Sequence, residues 1–167
     1  MNGNTPKNNF NYSKLSESKK KDLILKLEKG YDCDLSKLKN FEFYVNNSDK
    51  VFIFNGDDTN VDLSRVNLKG IYFGTFTNDG LLRLSIEGCN FIEPKINFVI
   101  LKKQAIPKFL SAKEIDDSML ENIKRNNEYP FLIVQYDKTN IGVISGKQEP
   151  YYNYVPKARK LEEEKIF

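Results

Sequence analysis

Thr77-Asn78-Asp79-Gly80 separates two dense apolar runs, Gly70-Ile71-Tyr72-Phe73-Gly74-Thr75-Phe76 and Leu81-Leu82-Arg83-Leu84-Ser85-Ile86. An Asp-Gly pair between such runs supplies the positive φ that a tight connection between antiparallel strands requires, so this stretch reads as a β-hairpin. The rest of the chain must be arranged around a sheet that contains it. After the second strand, Ser85 caps a short helix with Gly88 inside it. Glu93-Pro94 stops any helix, because the residue before a proline is pushed out of the α region. A domain boundary near Pro94 follows. Arg83 interrupts the apolar pattern; a lone guanidinium is costly to bury unpaired, so it either points out or pairs with Glu87.

Upstream, residues 1–12 are Asn-rich, contain Gly3 and Pro6, and show no periodicity, which predicts a flexible lead-in. A helix is predicted from about Ser16 to Lys29, capped by Ser13 or Ser16, with Leu23, Ile24 and Leu27 as its apolar stripe and Gly30 as its end. Lys19, Lys20 and Lys21 fall in its first turns and form either a solvated face or a basic patch. Phe41-Glu42-Phe43-Tyr44-Val45 and Lys50-Val51-Phe52-Ile53-Phe54 read as a second hairpin. Residues 61–68 fit a short helix or an irregular crossover. Together residues 13–93 predict an α+β domain with a mostly antiparallel sheet. Asp57 and Asp58, with Asp62 nearby, raise a hard-cation site, but their spacing departs from the calcium-loop pattern, and solvated turn carboxylates are the better reading.

Beyond Pro94 the pattern changes. Residues 96–101 predict a strand, and Ala105 to Leu110 a short helix that admits Pro107 only in its first turn. Met119, Leu120 and Ile123 suggest another helical turn. Strands are expected over 131–136, 141–145 and 151–155. Short strands at near-regular spacing imply a small barrel or curled sheet over residues 94–161, followed by a charged tail, 162–167.

Composition narrows the function classes. With 167 residues, 40% hydrophobic and 13% aromatic, the chain can build real cores. No apolar run approaches a bilayer span and the N-terminus is polar, so a cytoplasmic location is expected. Two cysteines, Cys33 and Cys89, and no histidine leave neither a disulfide framework nor a Cys/His zinc site, and remove the histidine-dependent catalytic triads. Residues 1–94 carry 13 basic and 13 acidic side chains, whereas residues 95–161 carry 12 and 7. That excess favours contact with a polyanion, although acidic protein surfaces would also be attracted.

The Gly-Ile-Tyr-Phe-Gly opening at residue 70 and the Leu82-Arg83-Leu84-Ser85-Ile86-Glu87-Gly88 run resemble the end of the pre-PUA domain in archaeal proteins of the ribosome-biogenesis pre-PUA/PUA family. Tyr129-Pro130-Phe131-Leu132-Ile133-Val134-Gln135-Tyr136-Asp137 and the closing Asn153-Tyr154-Val155-Pro156-Lys157-Ala158-Arg159-Lys160 resemble a PUA domain, a small RNA-binding pseudo-barrel. Versions of it also end certain archaeal RNA cytosine-5 methyltransferases. The resemblance covers about Leu15 to Leu161. It departs in the turn Asp137-Lys138-Thr139-Asn140, which lacks the usual glycines, while Gly142 and Gly146 remain. No methyltransferase domain is present: the chain has no Gly-rich strand-to-helix turn for a nucleotide-like cofactor, and neither cysteine follows a proline.

The resemblance implies a non-catalytic RNA-binding protein without cofactor or metal, acting in rRNA maturation or as an accessory to tRNA or rRNA modification. The alternative is an adaptor that docks an RNA-modifying or ribosome-assembly factor. A hydrolase built on Asp57, Asp58 and Asp62 lacks a visible base or nucleophile. If a barrel closes, basic groups from separate segments converge: Lys102 and Lys103 at the end of its first strand, Lys108 and Lys113 around the helix, and Lys157, Arg159 and Lys160 after the last strand. Lysines supply phosphate contacts and Arg159 can fork onto a phosphate or stack on a base. Tyr152, facing away from Tyr151, is the candidate stacking ring.

Overall fold

A computed structural model describes residues 11–56, 70–126 and 128–162. Asp57, Asp58, Asp62, the 61–68 crossover and all but Glu162 of the charged tail lie outside the described residues, as does the lead-in before Asn11. Five strands, β1 (Ser13–Lys14), β2 (Glu42–Val45), β3 (Lys50–Phe54), β4 (Ile71–Phe76) and β5 (Leu82–Leu84), pair antiparallel in chain order. The hairpin at residue 80 forms as predicted, with Gly80 at φ 73° and Thr77 Oγ1 donating to the Leu81 carbonyl at 3.0 Å. One face of this sheet turns Phe43, Val51, Ile53, Phe73, Leu82 and Leu84 into a core with helix α1 (Glu17–Tyr31). Burying each such side chain contributes about 1.5–3 kcal/mol.

Ser16 caps α1, accepting from the Lys19 amide at 3.3 Å. The helix does not end at Gly30. It continues to Tyr31, and Asp32 closes it in the left-handed region. Packing explains the difference: a Cβ on Gly30 would lie 2.8 Å from Cδ2 of Tyr129, so the missing side chain here admits an aromatic ring from the far half of the chain. Helix α2 (Ile86–Cys89) starts at Ser85, whose hydroxyl accepts from the Gly88 amide at 2.8 Å and donates to the Tyr72 carbonyl at 2.6 Å. A Cβ on Gly88 would sit 1.9 Å from the Phe73 carbonyl oxygen, so α2 lies with its backbone directly against β4.

The second half contains β6 (Phe98–Leu101), α3 (Ile106–Leu110, with Pro107 in its first turn), β7 (Leu120–Lys124), β8 (Phe131–Tyr136) and β9 (Thr139–Ser145). Its sheet runs β7-β6-β8-β9; β6 and β8 are parallel and the other pairs antiparallel. Two expectations are corrected here. The segment from Met119 to Ile123 is a single 3-10 turn over Asp117–Met119 leading into β7, because pairing of Leu120 with Leu101 and Ile123 with Val99 holds it extended. Residues 151–155 make no strand, only the bridges Tyr151 to Ile115 and Asn153 to Ile144.

Backbone bonds at those two bridges, from the Ser145 amide to the Tyr152 carbonyl at 2.8 Å, the Tyr154 amide to the Val143 carbonyl at 3.2 Å, and between Tyr151 and Ile115 in both directions at 2.7 and 3.1 Å, hold that last segment together with its side chains. The Asn153 amide donates to the carbonyls of Phe109 at 2.7 Å and Lys113 at 3.0 Å, and the Tyr151 hydroxyl donates to Asp117 at 2.6 Å. Among the described residues the sheet therefore stays open, with β7 and β9 at its edges, and the fold is α+β with two sheets and no closed barrel. The glycine-free turn closes with Asp137 and Lys138 both at positive φ, 46° and 63°, the backbone of a two-residue primed turn.

Strand β8 joins the two cores. Phe131 and Ile133 pack with α1 and the first sheet, while Leu132 and Val134 pack beneath α3 with Val99, Leu101, Phe109 and Ile144. A strand buried on both faces reads as a continuous apolar run, and Phe131-Leu132-Ile133-Val134 is one.

Candidate nucleic-acid interface

The predicted basic residues fall into separate settings. Lys102 is exposed at the end of β6 and donates to the Ser118 carbonyl at 2.7 Å; Lys103 follows it, exposed, in a 3-10 turn. Lys108 is half-buried on α3, 4.0 Å from Asp116. Lys113 is exposed beyond α3, where its amide closes the helix end by donating to the Lys108 carbonyl at 3.2 Å. In the N-terminal half, Lys20 leaves the patch expected of Lys19–Lys21: it is buried, donating to the Lys39 carbonyl at 2.7 Å and lying over the Phe43 ring.

After Pro156, residues Lys157–Arg159 form a 3-10 turn, closed by the Arg159 amide donating to the Pro156 carbonyl at 2.8 Å. The Leu161 amide then donates to the Leu110 carbonyl at 2.9 Å, which ties this run to the end of α3. Lys157 and Lys160 are exposed on it. Arg159 forms an ion pair with Glu87 of α2, on the other half of the molecule. Tyr152 is 57% exposed and meets Tyr154 edge to face, with centroids 5.0 Å apart.

Of the two expected settings for Arg83, the structure shows the outward one: Arg83 lies half-buried on the face of β5 away from the core residues Leu82 and Leu84. Glu87 is taken by Arg159, and the Arg83 guanidinium lies over the Tyr154 ring, 4.4 Å from its centroid. Stacking of this kind satisfies a half-buried cation because the ring face is the negative end of its quadrupole. The contact forms part of a cleft of about 410 Å³, lined by Lys50, Tyr72, Arg83, Glu87, Tyr154 and Arg159 among others.

Strand register builds the floor of this cleft. Thr75 of β4 is paired with Lys50 of β3 on one side and with Arg83 of β5 on the other, so the three side chains form a row across one face of the first sheet. The Lys50 ammonium lies 5.7 Å from the centroid of Tyr72, and the Tyr72 hydroxyl and Thr75 Oγ1 share a hydrogen bond of 2.5 Å. Helix α2 and the run from Tyr154 to Arg159 form the walls. Of these residues only Arg159 was among the sequence candidates. Arg83 carried a signal, as a cation in an apolar strand; the partnership of Lys50, Tyr72 and Tyr154 depends on long-range register.

Among the described residues no group of three or more Cys, Asp or Glu side chains converges as a metal site, and no helix is long and apolar enough to cross a membrane. Burial pushes the Cys33 thiol up to about 11 and the Cys89 thiol up to about 12, so both are protonated near neutrality.

No family model matches the chain, and no curated protein does. Solved structures do. The chain is similar to a conserved PUA domain protein from Thermoplasma acidophilum, with a TM-score of 0.60 and 14% identity over 84% of this chain and 82% of that one. It is also similar to a hypothetical protein from Pyrococcus horikoshii, with a TM-score of 0.56 and 14% identity over 87% of this chain and 92% of that one. The likeness is one of fold, which this chain shares with the PUA domain protein from Thermoplasma acidophilum.

Proposed function

We propose that this protein is a non-catalytic RNA-binding protein, acting in ribosomal RNA maturation or beside an RNA-modifying enzyme. The observation that carries the reading is the run after Pro156. Its cations are exposed on a backbone fixed by a 3-10 turn and by the Leu161 to Leu110 hydrogen bond, so they stand in a defined direction. Pre-organised cations lose little entropy on meeting a phosphate, and each neutralised phosphate releases counterions. Lys157 and Lys160 supply phosphate contacts, and Lys102, Lys103, Lys108 and Lys113 extend the basic character around β6 and α3. The likeness in fold to a PUA domain protein supports the same reading.

Titration of the purified protein with labelled rRNA and tRNA fragments, by gel shift at two salt concentrations, tests it. Binding is expected to weaken steeply as salt rises. An affinity indifferent to salt, or no binding at low salt, overturns the reading.

A further inference from the structure

The cleft between the first sheet and the C-terminal run is built for a ligand that is both flat and anionic. Its floor carries two cations, Lys50 and Arg83, flanking the Thr75 hydroxyl across two strand spacings, about 10 Å. Arg159 adds a third cation at the wall, and among the described residues Glu87 is the single carboxylate in the lining. Two of the cations are backed by rings, Lys50 by Tyr72 and Arg83 by Tyr154. A guanidinium stacked on a ring keeps its plane fixed and leaves its outer face and donor edge for a ligand. The volume, about 410 Å³, lies in the range of small-ligand pockets, about 300–1,000 Å³.

We infer that this cleft holds one unstacked nucleotide of a single RNA strand, with its base against Arg83 and Tyr72 and its phosphate on Arg159 and Lys50. The inference rests on the RNA-binding reading above and adds to it a cleft that Pro156 and Arg159 of the same run help to line, made jointly by both halves of the chain. A duplex does not fit this chemistry, because its base faces are stacked inside the helix and only a splayed base can enter a pocket of this size. Glu87 acts as the resident anion: an incoming phosphate replaces its carboxylate on Arg159, which weakens binding and selects against uncharged rings. The Arg83–Tyr154–Tyr152 series leads from the cleft to the exposed face of Tyr152, where the neighbouring base of the same strand stacks.

The test compares three probes by fluorescence anisotropy or competition: a labelled single-stranded oligoadenylate, a blunt RNA duplex and free adenosine monophosphate. Arg83→Ala is expected to weaken single-strand binding about tenfold while duplex binding changes little. Arg83→Lys keeps the charge, loses the planar stack and is expected to lose most of the same preference. Glu87→Gln frees Arg159 and is expected to tighten single-strand binding about threefold, a gain that a merely unfolded variant cannot give. Lys50→Ala, on an exposed strand position, provides a variant whose fold is not at risk. Thermal unfolding accompanies each. Competition by the free nucleotide at concentrations where the oligonucleotide is saturating would assign the site to soluble nucleotides and overturn the strand assignment. Equal binding of single strand and duplex, or cleft variants that bind as wild type while Lys157 and Lys160 variants lose affinity, overturns the cleft and leaves the RNA reading intact. Absence of all RNA binding overturns both.

Discussion

The side-chain amide of Asn97 donates to the Gly30 carbonyl at 2.5 Å, at a fully buried position that joins the end of α1 to the start of β6. The same side chain also bonds Asn126 twice, donating to its Oδ1 at 2.9 Å and accepting from its backbone amide at 3.1 Å. Asn97 itself has φ 58°, a conformation that asparagine tolerates better than most residues. Asn97→Ala leaves the Gly30 carbonyl and the Asn126 amide without this partner and keeps the backbone cost. The expected destabilisation is about 2–4 kcal/mol in urea unfolding, and a loss below about 1 kcal/mol would show that the amide is not a structural pin.

The two halves are proposed as folding units that meet near Glu93-Pro94 and stay associated once that link is cut. Tyr129 packs against Tyr31, with centroids 5.1 Å apart, and donates to the Leu82 carbonyl at 3.0 Å; Asn140 donates to the carbonyls of Cys89 and Ile92 at 2.6 and 2.7 Å. With a specific protease site inserted between Glu93 and Pro94, the cleaved halves are expected to co-elute in gel filtration. Separation into two folded fragments would mean that the shared core contributes little.

Alkali is expected to unfold the protein before it damages the chain. Burial and the Asp117 contact push the Tyr151 hydroxyl up to about 12, burial raises Tyr31 and Tyr129 as well, and the two thiols stand at about 11 and 12. Below about pH 8 these groups are largely protonated both folded and unfolded, so their contribution is complete. As pH rises from about 8 to 12, first the thiols and then the tyrosines of the unfolded chain release protons that the folded one keeps, and stability falls. Urea midpoints at pH 8, 10 and 11 check the direction; a flat profile contradicts it.

Cys33 and Cys89 are expected to resist iodoacetamide in the native protein at neutral pH and to react once it is denatured, because only the thiolate attacks. Rapid native labelling of Cys89, which is fully buried, would reveal local opening of α2.

For the basic run, Lys157→Ala with Lys160→Ala should weaken RNA binding and make the salt dependence shallower by about one unit per lost phosphate contact. If Lys19 and Lys21 substitutions reduce the slope instead, the phosphate-binding face is the exposed side of α1.

Local chemistry made part of this architecture readable. Asp79-Gly80 specifies its hairpin, Ser16 and Ser85 specify their caps, and Pro107 fits only the first turn where it is found. Met119, Leu120 and Ile123 misled because their spacing suits a helix equally well, and only the pairing with β6 decides otherwise. The short pairing beyond β9 was illegible for a related reason: residues 151–155 alternate as a strand should, but the Asn153 amide is turned to the carbonyls of Phe109 in α3 and Lys113 beyond it, and only single bridges form. The cleft was the least visible, since Lys50, Thr75 and Arg83 become neighbours only through the register of β3, β4 and β5.

Among the described residues strand β7 pairs only with β6, and Glu121, Asn122, Ile123 and Lys124 along it are exposed. An open rim is a template for another strand, and repeated capture of this kind builds fibrils. Glu121 and Lys124 guard against it, because an incoming chain would have to strip both charges of solvent. Exchanging the two for valine would remove that guard while touching nothing in either core, so the native fold would persist in dilute solution and concentrated samples would polymerise through this rim.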